Sequence, residues 1–252
     1  MKKIIITIFL TVNLAVVFGQ DLTTQQKKIV SDFIDCVKKN DRTKIGNKIS
    51  YPFRRAYPIP SIKNKEAFLK RYNEVFDDQL RKMIIQSEPV KDWSAVGWRG
   101  IMLHNGDVWL NYDGRLLSVN YQSAGEAKKQ QELIKQDKAQ LHESIQVFEK
   151  PVQLLETAQY RIRIDDMGNG HYRYASWKLL SKMSDKPDIV ILNGTYIPDG
   201  SGGNHSFKFT RGAFIYECDI VVMGEQNSPP AYLKVYKGNQ ELISQKAKLV
   251  NP

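Results

Sequence analysis

The sequence predicts an α+β first half, in which helices pack on a curved antiparallel sheet, followed by a connecting helix and an all-β sandwich or small barrel. Three observations predict this order. Apolar residues follow helical spacing in two early segments, apolar and polar residues alternate over 98–121, and seven or eight strand-like segments separated by turns follow Pro151. We therefore predict a signal peptide over 1–19, an α+β domain over 20–124, a connecting helix over 125–150 and an all-β domain over 151–252.

The first nineteen residues have the features of an export signal. A basic start, MKK, precedes the apolar run IIITIFLTVNLAVVF, and Val17 and Gly19 occupy the positions that a signal peptidase reads. No later apolar run is long enough to span a bilayer. The sequence therefore predicts a protein exported to the periplasm or the cell exterior, without a membrane span after cleavage.

The charge and the cysteines argue against several classes of protein. The 252 residues carry a formal charge of +10, but the basic residues are spread as pairs, which predicts a solvated surface and no nucleic-acid partner. Cys36 and Cys218 lie in separate apolar segments, so two buried thiols are favoured over the disulfide that an oxidising compartment would permit. Without metal-ligand spacings or a nucleophile motif, we predict no catalytic residue, no metal and no cofactor.

The helices follow in chain order. Residues 24–39 place apolar side chains on one side, with Thr23 or Thr24 as the cap. The stretch NKISYPFRRAYPIPS contains three prolines and predicts a short edge strand and a stiff loop. Residues 64–86 predict a second helix. Residues 125–148 predict a helix that rests on another element through a narrow stripe: Ile134, Leu141, Ile145 and Phe148.

The segment WRGIMLHNGDVWLNYDGRLLSVNY (98–121) predicts two hairpins. If NG and DG are two-residue turns, Leu103 faces Val108 and Leu110 faces Leu117 on neighbouring strands. Alternation then gives one nearly continuous apolar face on which the helices dock. That face carries Arg99, Ile101, Leu103, Val108, Leu110, Tyr112, Leu117, Val119 and Tyr121.

The opposite face of these hairpins carries a polar row with two tryptophans: Trp98, His104, Asp107, Trp109 and Asn120. A histidine beside a carboxylate suits a general base, but the outer face of a sheet does not exclude water. We therefore predict a domain or partner interface here.

The stretch YPFRRAYPIPSIKNKEAFLKRYNEVFD, followed by GWRGIMLHNGDVWLNYDGRLLSVN, resembles segments of the NTF2-like/cystatin-like (ketosteroid-isomerase-like) α+β family of exported bacterial proteins, over about residues 22–122. The resemblance implies a cone between helices and sheet, edged by Tyr51, Tyr72, Tyr112 and Tyr121. Enzymes of that family use a carboxylate or histidine in the cone, and none is placed there in this chain. The resemblance therefore implies a ligand pocket or a filled core, of which we expect the core. It also implies a possible homodimer through the outer face of the N-terminal sheet.

The C-terminal segment HYRYASW places His171, Arg173 and Trp177 on one side of a strand. Such groups can stack on sugars or contact a protein, although they are as often part of a core or its rim. The leading hypothesis is an exported, non-catalytic binding or accessory protein that recognises a protein or a glycan through its β-domain. The alternative is an enzyme or small-ligand carrier that uses the N-terminal cavity.

Overall fold

The structure is a computed structural model that describes residues 21–200, 202–225 and 227–250. The predicted signal peptide therefore lies outside the described residues. The described chain divides into two compact units: the first runs to Ser50 and includes Asp78–Val119, and the second comprises Tyr51–Asp77 and the chain from Asn120 onward. The predicted domain boundaries at residues 124 and 150 stay a prediction.

The elements are numbered along the chain. The helices are α1 (Thr24–Lys38), α2 (Arg42–Asn47), α3 (Lys65–Val75), α4 (Asp78–Gln86) and α5 (Ala124–Gln140). The shorter strands are β1 (Trp93–Ala95), β2 (Ile101–Leu103), β3 (Val108–Leu110) and β4 (Leu116–Val119). The longer strands are β5 (Lys150–Glu156), β6 (Tyr160–Asp166), β7 (Tyr172–Lys178), β8 (Ile189–Asp199), β9 (Asn204–Arg211), β10 (Phe214–Ile220), β11 (Ala231–Lys237) and β12 (Gln240–Leu249).

The first unit contains α1, α2 and α4 with a four-stranded antiparallel sheet in the order β1-β2-β3-β4. Thr23 caps α1 by a capping box: its hydroxyl accepts from the Gln26 amide, and the Gln26 side chain accepts from the Thr23 amide at 2.8 Å. The rings of Phe33 and Trp93 meet edge to face at 6.1 Å. The ring contact packs α1 against β1 in the core of this unit.

The predicted register of the hairpins is confirmed over most of its length. Leu103 pairs with Val108, and Val108 pairs with Val119. A bulge after Trp109 then pairs Leu110 with Leu116, so Leu116 is buried and Leu117 is exposed, the reverse of the predicted faces. The connections are loops of four and five residues because the strands end before the NG and DG pairs are reached.

The predicted fold class, an NTF2-like domain followed by an all-β sandwich or small barrel, is wrong, because the chain forms a four-stranded sheet with few helices and a closed eight-stranded barrel. Strands β1 to β4 have only three or four residues, too few to curl around helices. The predicted helix over 64–86 is two helices, α3 in the second unit and α4 in the first. It breaks where Phe76 leaves helical geometry, directly before Asp77 and Asp78, a residue type that favours the start of a helix.

The second unit is dominated by a closed, eight-stranded antiparallel barrel formed by β5 to β12. Each strand pairs with its neighbours in sequence, and β12 closes the barrel on β5 through Lys248 with Glu156 and Leu249 with Leu155. Its core is filled by inward-facing side chains that include Ile162, Ile164, Ile191, Phe207, Phe209, Cys218 and Leu233. The eight strands therefore form one closed sheet, whereas a sandwich consists of two facing sheets.

Gly194 shows how closely the barrel core is packed. A Cβ at this position would lie 2.1 Å from the Phe209 ring, so only glycine leaves room for that ring on β8. Cys218 is fully buried in the same core, and burial raises the pKa of its thiol. Both cysteines are buried free thiols, as the sequence favoured.

Helix α5 ends at Gln140, earlier than the stripe of apolar residues predicted. Ser123 caps it by accepting from the Glu126 amide at 3.0 Å. Residues 141–149, which we call the strap, run along the outer wall of the barrel and bury Leu141, Ile145 and Phe148 against Ala175 and Trp177. None of the described helices combines the length and the apolar composition needed to cross a bilayer.

Candidate ligand site at the mouth of the barrel

One end of the barrel contains a cavity of about 210 Å³. It lies where β6, β8 and β10 begin, because Tyr160, Ile189 and Phe214 line it. For comparison, an apolar cavity of about 150 Å³ in a protein core is large enough to hold benzene. The remaining lining residues are Tyr174, Ser176, Tyr216, Leu233, Val235, Leu242 and Ile243.

The cavity is mainly apolar, and its rim is exposed. Leu233 and Val235 of β11 are buried in the barrel core. At the rim, Phe214 is 37% exposed and Leu242 is 45% exposed, so apolar surface continues from the interior to the solvent. None of the residues that line the cavity carries a charge at neutral pH. This combination defines a mouth that is suited to an uncharged, apolar molecule.

Four hydroxyl groups provide the polar part of the lining: Tyr160, Tyr174, Ser176 and Tyr216. The rings of Tyr174 and Tyr216 lie 5.5 Å apart. Burial raises the pKa of Tyr174, and the neighbouring Cys218 raises it further. Tyr174 is therefore a neutral phenol at physiological pH. All three phenols line the same cavity.

Sequence analysis did not identify this cavity. The alternation in YRIRI and HYRYASW places Tyr160 and Tyr174 on the same face as the core residues. Which of those side chains meet across the barrel depends on how the eight strands close, and that is a long-range property. The signal in the sequence that could have indicated the cavity was a cluster of inward-facing tyrosines near the ends of strands.

The residues predicted to bind through HYRYASW have different positions. Trp177 is 1% exposed, and its ring nitrogen donates to the Asp185 carbonyl at 2.8 Å. Arg173 is buried, and His171 is exposed just before β7. Only His171 of these three is accessible, and ligand binding through this segment stays a prediction.

Arg173 belongs to a buried ion cluster beneath the strap. Asp165 accepts from Arg163 at 2.7 Å and from Arg173 at 2.6 Å, and all three side chains are buried. Arg173 also donates to the backbone carbonyls of Ile145 and Val147. Both guanidinium groups lie over the Phe148 ring, at 4.8 Å for Arg163 and 5.6 Å for Arg173. The cluster therefore fixes the strap to the barrel wall.

The four tyrosines predicted to edge an N-terminal cavity are not members of one unit. Tyr72 is buried and stacks on Phe76, with ring centroids 5.2 Å apart. Tyr121 donates to Asp77 at 3.0 Å, and burial raises its pKa to about 12. Burial likewise raises the pKa of Tyr51 to about 12. These three belong to the second unit, whereas Tyr112 belongs to the first and donates to the Gly97 carbonyl.

The predicted interface row lies partly in a loop. His104 and Asp107 are separated by 3.2 Å between Nδ1 and Oδ2, and the His104 side chain is 39% exposed. Trp98 is largely exposed, and Trp109 is half-buried under the Arg99 guanidinium at 5.8 Å. Asn120 is exposed in the second unit. A solvent-exposed contact of this kind contributes little to stability, and contact with a partner stays a prediction for these residues.

Comparisons with known proteins identify no relative. No protein-family model, curated protein or solved structure matches the chain, and none of them therefore identifies an NTF2-like or cystatin-like protein. Within the described ranges, no three His, Cys, Asp or Glu side chains are arranged to hold a metal ion. The candidate function consequently rests on the geometry of the barrel.

Proposed function

We propose that the chain is an exported, non-catalytic binding protein that takes a small apolar ligand into the mouth of its barrel. The observation that carries this proposal is the open apolar cavity, lined without a charged group and continuous with the exposed Phe214 and Leu242. Export rests on the signal-like residues 1–19.

The physical basis is the hydrophobic effect in a preformed site. Each square ångström of apolar ligand surface removed from water contributes about 25 cal/mol, and a closed barrel supplies walls that need little ordering when the ligand enters. The lining offers phenols and one serine but no carboxylate or imidazole for acid–base chemistry. Because Trp177 is buried, the proposal rests on a small apolar ligand and not on a glycan.

The test is equilibrium dialysis with naphthalene, an uncharged probe of two fused rings. We expect saturable binding of one molecule per chain. Leu242→Asp places a carboxylate at the rim and should weaken binding about tenfold, or ~1.4 kcal/mol. Leu192→Asp is the matched control, because Leu192 is a similarly exposed leucine on β8 that does not line the cavity.

Two results would contradict the proposal. One is the lack of saturable naphthalene binding by the folded wild-type chain. The other is an equal loss of binding in the Leu242→Asp and Leu192→Asp variants, since the ligand would then not distinguish the mouth from the outer wall.

A further inference from the structure

Building on the proposed function, we infer that the ligand of the mouth is an uncharged molecule with a body of one or two rings and a hydroxyl or carbonyl group that hydrogen-bonds to Tyr160 and Tyr216. This inference names the class of ligand, whereas the proposed function requires only an apolar one. It rests on the division of the lining into a phenol-bearing part and an aliphatic part.

The hydroxyl groups are concentrated on β6 and β7, with Tyr216 of β10 meeting Tyr174 across the interior at 5.5 Å between ring centroids. The aliphatic residues lie mainly on β11 and β12, where the lining consists of Leu233, Val235, Leu242 and Ile243. A purely hydrocarbon ligand would cover the phenols without replacing the hydrogen bonds that they make with water. A ligand with one polar group satisfies both parts.

The four hydroxyl-bearing residues differ in burial. Tyr174 and Ser176 are buried inside the barrel, whereas Tyr160 and Tyr216 are partly exposed at its mouth. Among the described residues, no protein group hydrogen-bonds to the hydroxyl of Tyr160 or Tyr216, and both side chains are half-buried in the lining. A phenol both donates and accepts, so each can bind a ligand hydroxyl in either direction or donate to a carbonyl.

The charge of the ligand follows from the lining. A carboxylate or ammonium group entering the mouth would lose its hydration and meet no side chain of opposite charge. Phenol hydrogen bonds alone do not replace that hydration, so charged molecules with the same body should be rejected. The volume of about 210 Å³ exceeds that of a benzene-sized cavity, about 150 Å³, and therefore favours one or two rings over a long chain.

The experiment compares three probes with the same ring body: naphthalene, naphthol and naphthoate, the last two substituted at the same ring carbon. Dialysis near neutral pH keeps naphthol uncharged and naphthoate ionised. For the wild-type chain we expect naphthoate to bind at least tenfold more weakly than naphthol. For the Tyr160→Phe, Tyr216→Phe double variant we expect naphthol affinity to fall about three- to tenfold, the usual effect of losing hydrogen bonds, with naphthalene affinity unchanged.

Tyr236→Phe is the matched control, because Tyr236 is a barrel tyrosine that does not line the cavity. It should leave all three affinities unchanged. If naphthalene binds but naphthol binds equally to the wild type and the double variant, the inference is overturned and the proposed function stands. Tighter binding of naphthoate than naphthol overturns it in the same way. If no probe binds to the folded chain, the proposed function itself fails.

Discussion

Strands β7 and β8 are neighbours in one barrel, yet they are buried differently. On β7, five consecutive residues from Arg173 to Trp177 are buried. On β8, Ile191 is buried in the core, but the adjacent Leu192 is 54% exposed. The difference arises outside the barrel, where the strap covers the outer wall of β7 through Phe148 and its neighbours. Inward burial follows from barrel closure, whereas outward burial follows from what a separate segment covers.

The cover over β7 is unusual because it buries charge as well as apolar surface. Arg163, Asp165 and Arg173 form their ion pairs under the strap, whereas the outer wall of β10 and β11 carries a more exposed pair, Asp219 with Lys234 at 2.7 Å. A buried charge that loses its partner costs far more than an exposed one. The loss in the free energy of unfolding on removing a charge should therefore differ between the two walls.

Among the variants that compare the two walls, Asp165→Ala should lower the free energy of unfolding most. It leaves the buried Arg173 without its carboxylate partner, whereas Arg163 keeps Asp137, so we expect a loss of about 3–4 kcal/mol in the free energy of unfolding. Urea denaturation followed by far-UV circular dichroism measures it. Asp219→Ala is the matched control and should cost under about 1 kcal/mol. Equal losses in the two variants would show that the strap does not isolate its ion cluster from water.

Removing the ring of Phe148 tests the strap itself. Phe148 is buried against both arginines and packs with Ala175 and Trp177, so Phe148→Ala should cost about 3 kcal/mol through lost burial and the cavity left behind. Val147 precedes it in the strap and is largely exposed. Val147→Ala should change the free energy of unfolding by less than about 0.5 kcal/mol. A small loss in both variants would mean that the strap is only loosely attached.

The strap also shows which features the sequence could predict. Alternation in HYRYASW correctly separates Tyr174, which faces the core, from Arg173 and Trp177, which face outward. Nothing local indicates that Phe148, some 25 residues upstream, lies over that outward face. The stripe Leu141, Ile145 and Phe148 did indicate packing against another element, but its spacing also fits the helix that we predicted.

In the first unit and at the candidate site, local features were likewise predictable from the sequence and long-range contacts were not. Pairing of Leu103 with Val108 was predictable because a short connection fixes it. The break of the second predicted helix at Phe76 divides its halves between units, and only tertiary contacts reveal that. The mouth of the barrel depends on the pairing of Leu155 with Leu249, residues from the two ends of the β region. Local periodicity carries no information about such a contact.

The finest test adds one hydroxyl to each of two residues that face each other across β7 and β8. Ala175 pairs directly with Val190, but Ala175 is buried under the strap and Val190 is partly exposed. Ala175→Ser buries a new polar group and should cost about 1–2 kcal/mol, whereas the nearly isosteric Val190→Thr should cost less than about 0.5 kcal/mol. Urea denaturation of both variants provides the comparison. If the two substitutions cost the same, the outer walls of β7 and β8 are equally hydrated, and the strap does not seal the wall that it covers.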